Sequence, residues 1–542
     1  MKAIDKWGVI AAGAMLTLGM ATAAEPAGEP PGASGPDAAV FDLLEFEVEG
    51  NTVLPARVVE QTLMPHMGER RTIEHVLAAR AALEAAFQQA GFLTVYVDVP
   101  EQQIDYGVVR LVVTEGRVDR LRVTGARYYD QGRIREAVGE FAPGHVPNFE
   151  RAQEQVAELN RVPTRQIQPV LRPGPMPGTV DVELRVTDER PLSASVELKN
   201  HHSADTEPLR LTAGLRVDNL LQRDHALALT AITAPGQPSQ SRVLVAAWTA
   251  PVSPTSSWLV NLVASDSELE PLGVGTVIGR GATLGVRRLW NYFGPTGVHT
   301  LAVGVDAKRL QERFIAGDDV ISTPLRYAPL QLGYTAQWDR GGAATSISAT
   351  YTIAFKQVLQ RRIDCPGNVG PVDQFACRRQ GADGSFAWLR LDLRHGRPLA
   401  GGRLALRLAG QAASQPLTGG EQYSLGGAET VRGYYEGEAV GDHGLMAAAE
   451  WRSPNLVAGL DALAPHLSEL SLLVFAEAGR VTVLQPLPEQ QVRVPLAATG
   501  AGLRLRSGRW MSAALDIGWP LKPGRNNPDR DPRVHARVGL QF

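Results

Sequence analysis

The sequence predicts two small α+β repeats followed by an all-β transmembrane barrel of about sixteen antiparallel strands. Three observations lead to this fold class: an export signal opens the chain, a β-α-α-β-β order then occurs twice, and alternating segments fill residues 191–542. No later stretch supplies the ~20 uninterrupted apolar residues of a membrane-spanning helix. A closed barrel is therefore the expected membrane structure, since it is the other structure that satisfies every backbone group in lipid.

Residues 1–24 have the features of a secretory signal: Lys2 and Lys6 precede the apolar run Trp7–Met20, and small residues follow. Residues 25–40 are rich in proline, glycine and alanine, which predicts a flexible lead-in. Its prolines disfavour a helix ahead of the first repeat. The formal net charge of −3 gives no sign of a nucleic-acid partner.

The first repeat begins with a predicted strand and turn at Phe46–Asn51, followed by a helix at Pro55–Met64. Thr72 is the expected N-cap of a second helix. The apolar face of that helix is predicted to consist of four side chains at helical spacing: Ile73, Leu77, Leu83 and Phe87. Two strands complete the repeat. We place the first domain at residues 41–116.

The same order recurs after about seventy-five residues, which indicates a repeated domain. Leu121–Gly125 matches the first strand and turn, and Arg133–Phe141 matches the first helix. The second helix is expected to bury a face made of Phe149, Ala152, Val156 and Leu159. Strands near residues 167–171 and 180–186 follow. The second domain is therefore placed at residues 117–190, and each copy has enough apolar surface for its own core.

These repeats resemble polypeptide-transport-associated (POTRA) domains, the periplasmic receptor modules of outer-membrane assembly and secretion proteins. The resemblance rests on an opening Phe-x-Val-x-Gly-Asn at Phe46–Asn51 and a closing Val-x-Glu-Gly at Val113–Gly116. It implies that the repeats bind an unfolded or partly folded client. From the residues alone, Gly50 and Gly125 also fit simple turns with φ > 0.

Residues 191–542 show a period of two between turn signals, as barrel strands do. In the last segment, Val534 and Val538 share one face while His535 and Arg537 share the other, and the chain ends on Phe542, an expected barrel signal. A soluble edge strand would show the same alternation. The predicted strands lie at 192–200, 207–218, 224–234, 240–250, 257–265, 274–290, 297–310, 325–339, 343–357, 384–396, 401–413, 443–453, 470–480, 496–507, 509–519 and 533–542.

The long segment 414–442 contains the motif Val431-Arg432-Gly433-Tyr434. With two POTRA domains and the barrel, this motif makes the chain resemble the transporters of two-partner secretion (TpsB type), the haemolysin and filamentous-haemagglutinin secretion/activation proteins. The resemblance implies that the loop folds into the lumen. It also implies that Arg432 pairs with an acid in a Phe-x-Asp-x-Gly motif on strand thirteen, which here reads Phe475-x-Glu477-x-Gly479. Alternatively, Arg432 and Glu477 are solvated lumen charges.

Cys365 and Cys377 lie in the polar segment between the ninth and tenth predicted strands. Because the first strand starts on the periplasmic side, connections from odd-numbered to even-numbered strands are expected outside the cell. In an exported chain the two cysteines are expected to form a disulfide, because the compartment is oxidising and no histidine-rich ligand set accompanies them. A metal site or a nucleophile is the less favoured alternative. No phosphate loop, nucleophile elbow or His-Glu-x-x-His motif occurs, so no enzyme activity, cofactor or metal is expected.

The predicted function is that of an outer-membrane transporter. Its POTRA domains would recognise a secreted exoprotein (TpsA type) in the periplasm, and its barrel would conduct that protein to the cell surface. Its other expected partners are outer-membrane lipid and, during biogenesis, the barrel assembly machinery. A barrel assembly or insertion factor is the nearest alternative, and a passive or gated porin is an alternative from another class.

Overall fold

A computed structural model describes residues 40–104, 106–204, 206–272, 275–295, 297–316, 319–365, 370–459 and 465–542. The predicted signal at residues 1–24 and all but the last residue of the predicted lead-in lie outside the described residues. The chain divides into two compact units. One reaches Arg117 and includes segments 146–149 and 176–179, and the other holds the rest of domain 2 and the barrel. No helix in the described ranges combines the length and hydropathy needed to cross a bilayer.

Domain 1 is a three-stranded sheet covered by two helices. β5 is central, with β2 parallel to it on one side and β4 antiparallel on the other, and β1 pairs with β3. Leu83, Phe87, Leu111 and Val113 are at the centre of the core. The elements are β1 (Phe41–Leu43), β2 (Glu45–Glu49), α1 (Ala56–Leu63), β3 (Gly68–Arg71), α2 (Ile73–Gln89), β4 (Val95–Asp98) and β5 (Val108–Glu115).

The N-cap prediction for α2 is confirmed, but half of its predicted apolar face is wrong. Thr72 forms a capping box with His75. Ile73 and Leu77 are half exposed. The residues of α2 that are buried are Val76, Ala79, Leu83 and Phe87. The sequence pattern predicted that the large side chains of Ile73 and Leu77 are buried. The helix face that contacts the sheet instead includes the small side chain of Ala79.

Domain 2 repeats this architecture, with sheet order β6-β8-β7. Asp130 caps the first helix by accepting a hydrogen bond from the Arg133 N–H at 2.8 Å. Of the predicted helix face, Ala152, Val156 and Leu159 are buried, whereas Phe149 at the start of the helix is only half-buried. The elements are β6 (Arg117–Thr124), α3 (Gln131–Ala137), α4 (Phe149–Leu159), β7 (Arg165–Pro173) and β8 (Thr179–Asp188).

The remaining chain forms a closed antiparallel barrel, in which β29 pairs back with β9. Phe542 and Ala194 exchange backbone hydrogen bonds of 2.8 and 3.1 Å at this seam. The first elements are β9 (Leu192–Lys199), β10 (Arg210–Leu220), β11 (His225–Thr233), β12 (Ser241–Ser253), β13 (Ser256–Leu272), β14 (Gly275–Gly294), β15 (Gly297–Ala316), β16 (Asp319–Tyr327), β17 (Leu330–Arg340), β18 (Ala343–Ile353), β19 (Arg362–Ile363), β20 (Val372–Asp373) and α5 (Gln374–Arg378).

The second half continues with strands and the inserts between them. β19, β20, β23, β24 and α5 belong to loops, and the other elements form the wall. These elements are β21 (Ala387–Leu399), β22 (Gly402–Ala413), β23 (Tyr423–Leu425), β24 (Ala439–Gly441), β25 (His443–Arg452), β26 (Glu469–Thr482), β27 (Arg493–Ser507), β28 (Met511–Pro520) and β29 (Arg533–Gln541).

The predicted fold class, with its sixteen-strand barrel, is confirmed within the described residues. The predicted strand 325–339 needs correction, because the structure has two segments there, β16 and β17. Both lie against β15, β16 beside residues 308–316 and β17 beside residues 297–305, so they form one interrupted wall strand. Pro329 lies in the break, and proline cannot donate a ladder hydrogen bond.

The wall alternates between an outer apolar surface and a polar lumen. In β26, Leu472 and Val474 point outward and are exposed, whereas Phe475 and Glu477 are buried on the inner side. Apolar groups toward lipid and charged groups toward the lumen are what a membrane barrel requires.

Candidate functional site

Residues 414–442, between β22 and β25, fold into the barrel and are called the lumenal loop here. Its hairpin pairs β23 with β24. The loop side chains Leu425, Val431 and Tyr434 are completely buried, in a cluster with Met446 and Leu496 of the wall. The loop therefore packs against strands β25 and β27 as a folded insert.

The tip of the lumenal loop approaches the wall closely at Gly433. This residue has φ of +95°, and a Cβ there would lie 3.1 Å from the backbone carbonyl of Gly518 on β28. A side chain would be strained by both the conformation and the space. The Gly433 N–H donates to Nε2 of His535 at 3.1 Å, and the Tyr434 hydroxyl donates to the Lys522 carbonyl at 2.6 Å.

Arg432 is the main charged anchor of the tip. Its Nε and Nη2 lie 2.8 and 2.6 Å from Oε1 of Glu477. Its backbone N–H donates to the other carboxylate oxygen at 2.7 Å. Arg432 is 5% exposed and Glu477 7% exposed, so the two form a buried pair and are not separately solvated lumen charges.

Two further acids complete the Arg432 site, and sequence reasoning missed both. Asp516 of β28 lies 3.3 Å from Nη1, and Glu450 of β25 lies 3.0 Å from Nη2. Arg504 in turn contacts Asp516 at 2.5 Å. Both acids alternate with apolar residues in their strands, which indicates that they face the lumen. The sequence does not show that they lie beside Arg432, because this depends on how the strands pair.

All three residues of the strand-thirteen motif contact the loop. The ring centroid of Phe475 lies 3.5 Å from the Arg432 guanidinium, a cation–π arrangement. A Cβ at Gly479 would lie 2.9 Å from a methyl group of Leu425, so glycine leaves room for the hairpin. The motif on β26 is thus a surface that receives the loop.

A second charged anchor, also missed from the sequence, lies at Glu421 near the start of the loop. This carboxylate is 2% exposed. It contacts the Lys308 ammonium at 2.5 Å and accepts from the Tyr327 hydroxyl at 2.5 Å and from Trp388 Nε1 at 2.9 Å. These partners belong to β15, β16 and β21. The loop is therefore held on two separate parts of the wall.

A third anchor lies at Asp442, where the loop returns to the wall. Its carboxylate oxygens pair with both terminal nitrogens of Arg379 at 2.6 and 2.7 Å. They also accept from the backbone N–H groups of Leu417 and Leu484 at 2.8 and 2.7 Å. A fully hydrogen-bonded buried carboxylate fixes the geometry of all the segments it contacts.

Arg379 belongs to the segment that carries the two cysteines. The structure joins Cys365 and Cys377 in a disulfide, with 5.7 Å between their Cα atoms. The bridge closes the segment from β19 to α5, and Phe375 of α5 packs on Tyr327 with ring centroids 5.3 Å apart. This segment and the lumenal loop are therefore in contact through Arg379.

The pKa values of two charged loop residues, Glu421 and Arg432, are shifted toward their ionised forms. Burial opposes ionisation of Glu421, but the Lys308 charge and the hydrogen bonds from Tyr327 and Trp388 lower its pKa. Burial likewise opposes the Arg432 charge, and the Glu477 carboxylate raises the Arg432 pKa despite it. Glu421 and Arg432 are therefore both charged in their buried contacts with the wall.

The comparisons with known proteins identify the family of this barrel. Residues 178–505 match the family model of haemolysin secretion/activation proteins ShlB/FhaC/HecB, and residues 41–116 match the ShlB-type POTRA domain. The chain belongs to the haemolysin secretion/activation protein family. It is an outer-membrane transporter of two-partner secretion, with its POTRA domains in the periplasm, so the predicted family, function and localisation are confirmed.

Relatives and solved structures extend this assignment. The chain is 22% identical to the outer membrane transporter CdiB of Dickeya dadantii (strain 3937) over 93% of its own length and 87% of that protein. The structure of CdiB from Escherichia coli has a TM-score of 0.60 at 20% identity, covering 95% of this chain and 93% of that one. BamA from Haemophilus ducreyi lacking POTRA domains 1–3 has a TM-score of 0.53 at 15% identity, covering 93% of this chain and all of that one. These structural likenesses show the shared fold.

Proposed function

We propose that this transporter captures one secreted exoprotein through domains 1 and 2 and exports it through the barrel while the lumenal loop is displaced. The observation that carries the proposal is the Arg432 site, a buried guanidinium that touches three wall acids inside the lumen. An extended chain can pass only if the loop leaves this position. A charged anchor allows that, because water and the passing chain can solvate the separated groups.

The loop has to detach at several points before the lumen clears. Glu421 binds one part of the wall, Arg432 another, and Asp442 holds the return strand. Each of these contacts includes an ion pair, and the loop side chains Leu425, Val431 and Tyr434 also pack on the wall, whereas the barrel wall itself is held by backbone ladders. Loop displacement should therefore leave the barrel closed and inserted.

Client capture is proposed to involve free strand edges of the periplasmic domains, because an extended peptide can add a strand there. The edge strand β7 in domain 2, which includes Gln166–Leu171, is a poor candidate. Asn160 uses its side-chain amide to occupy both the N–H and the carbonyl of Ile167. Pro169, two residues further, has no N–H. The edge strand β4 of domain 1, Val95–Asp98, is the better candidate.

The test is deletion of residues 41–190 in cells that also produce the candidate client. We expect the gene of a large secreted protein to lie beside that of this transporter, and that protein is the client to assay. The truncated barrel should still insert, as heat-modifiable gel mobility will show, but should release no client into the medium. Undiminished secretion would contradict the proposed role of the domains.

The same deletion mutant also distinguishes the proposed transporter from an assembly factor or a porin. If the protein were an assembly factor, the deletion would lower the amounts of unrelated outer-membrane barrels. In a transporter for one client, the deletion should leave these amounts unchanged. A porin would retain its small-solute flux after the deletion and would have no client to lose.

A further inference from the structure

The turn that joins β10 to β11 has a rare backbone conformation. Within residues 219–224, called the docking turn here, four non-glycine residues have φ values from +55° to +58°: Asn219, Leu221, Gln222 and Asp224. This left-handed conformation is unfavourable for residues with a Cβ, which crowds the following backbone. Such strain persists where the surroundings impose it, and it is concentrated in functional segments.

Internal hydrogen bonds hold the docking turn in this shape. The Asn219 side chain donates to Oε1 of Gln222 at 2.8 Å and accepts from the Asp224 N–H at 3.2 Å. Leu221 does not contribute by burial, since 73% of it is exposed. The result of the conformation is that the side chains of Gln222 and Asp224 project together toward domain 2.

Gln222 contacts the backbone of domain 2 just before α3. Its Oε1 accepts from the Asp130 N–H at 3.0 Å, and its Nε2 donates to the Tyr128 carbonyl at 3.0 Å. The amide therefore satisfies a donor and an acceptor of the same segment. This two-point contact fixes the orientation of the segment as well as its distance.

Asp224 contacts domain 2 through a charged pair. Its two carboxylate oxygens each lie 3.2 Å from a terminal nitrogen of Arg165. The Arg165 side chain is held from behind by the Leu159 carbonyl, at 2.7 and 3.0 Å, and lies 4.8 Å from the ring centroid of Tyr129. A guanidinium fixed in this way can donate to a carboxylate from one direction only.

Two neighbouring hairpins at the same rim also contact domain 2. Arg161 donates to the carbonyl of Pro254, between β12 and β13. Its guanidinium also lies 4.5 Å from the ring centroid of Phe293, at the end of β14. Three successive hairpins of the barrel thus contact domain 2.

We infer that the docking turn is a positioning element for export, which fixes domain 2 in one orientation at the periplasmic entrance of the lumen. Glycine would adopt these φ values without strain, but it has no side-chain amide or carboxylate to contact domain 2. Gln222 and Asp224, which make the contacts, are themselves in the strained conformation. A client released by the periplasmic domains would then reach the barrel entrance from a domain 2 that is held in one orientation.

The experiment measures the orientation of domain 2 directly. Spin labels are placed on cysteines introduced at Glu136 of α3 and Arg509 of the β27–β28 turn, since Cys365 and Cys377 are already bridged. The distance distribution between the labels is measured by pulsed electron paramagnetic resonance in the purified, full-length transporter. The variants are Gln222→Gly and Leu221→Gly, which both relieve strain although only the first loses the contacts with domain 2.

We expect a narrow distribution for the unsubstituted turn and for Leu221→Gly, and a broad one for Gln222→Gly. The undocked population should rise at least roughly tenfold, because Gln222→Gly removes both hydrogen bonds to domain 2 and each makes a modest net contribution to stability. Asp224→Asn should broaden the distribution as well. Arg165→Lys tests the same contact from the side of domain 2. Lysine keeps the charge but lacks the planar fork that pairs with both carboxylate oxygens of Asp224.

Export of the client is then compared between Gln222→Gly and Leu221→Gly, with gel mobility as the check on insertion. A several-fold loss in Gln222→Gly alone is the expected result. A narrow distribution in Gln222→Gly and Asp224→Asn would overturn the docking role, and a broad distribution with normal export would overturn the positioning role. The distance measurement needs no client, so its outcome is independent of the proposed export function.

Discussion

Glu421→Gln removes one charge from the second anchor of the lumenal loop while keeping the size of the side chain. The amide can still accept one hydrogen bond, but the Lys308 ammonium, 2.5 Å from the carboxylate in the native site, loses its counter-charge. Breaking a fully buried pair costs ~3–5 kcal/mol, and an exposed pair is worth ~0–1 kcal/mol. The Lys308 side chain is 15% exposed and that of Glu421 2%, so the site lies nearer the buried limit.

We therefore expect Glu421→Gln to weaken loop attachment by about 2–3 kcal/mol. This free energy corresponds to a roughly 30- to 150-fold larger population with the loop detached at this wall. Conductance of the purified transporter in planar bilayers should show more frequent and longer open events. The barrel should stay folded, because Glu421 contributes no ladder hydrogen bond to the wall.

Glu429→Gln is the matched control, because Glu429 is an exposed carboxylate of the same loop. It should leave the conductance unchanged. Pairing Glu421→Gln with Lys308→Met should recover part of the closed population, since the uncompensated buried charge is removed. Conductance of Glu421→Gln equal to that of the control, in a folded barrel, would refute the role of this anchor.

The remaining predictions concern the disulfide and the loop tip. Cys365 and Cys377 should resist thiol labelling on intact cells until a reductant is added, and replacing both with serine should leave export intact; ready labelling without reductant would exclude the bridge. Gly433→Ala should strain the tip by ~1–3 kcal/mol and reduce export, since the backbone of Gly518 leaves little room for a Cβ. Gly420→Ala is the control, because its Cβ would meet Leu310 at an ordinary 3.5 Å; equal export by both variants would show that the tip tolerates displacement.

The fold was predictable because each element carries a local pattern. Thr72 marks the start of α2, and alternation marks the wall strands. The predictions failed where tertiary contacts override the pattern. Ile73 and Leu77 have the right size but lie beside the buried stripe, and the break near Pro329 depends on how β15 pairs with two segments.

The site was predictable only as far as its motifs are contiguous. Arg432 and Glu477 belong to two short motifs, so the resemblance could name both residues. Glu421 could not be found in this way, because its partners lie on β15, β16 and β21 and meet only when strand register is known. Gln222 and Asp224 were missed for a similar reason, since nothing in the sequence shows that the turn is left-handed.

The central claim is that the lumenal loop is held in the pore by Arg432 and that this position is needed for export. Arg432→Ala removes every charged contact of the tip with Glu477, Asp516 and Glu450. Client secretion should be abolished or strongly reduced, while heat-modifiable gel mobility shows a folded, inserted barrel. Glu477→Gln should show a weaker defect of the same kind.

The matched control is Arg216→Ala, which removes a lumenal arginine whose ion pair among the described residues is with Asp218 of the same strand. Secretion by this control should equal that of the unsubstituted transporter. The deciding measurement is therefore the amount of client in the medium for Arg432→Ala relative to Arg216→Ala, at equal levels of folded barrel. A large loss in Arg432→Ala alone is the result we predict, and equal secretion by the two variants would contradict the account.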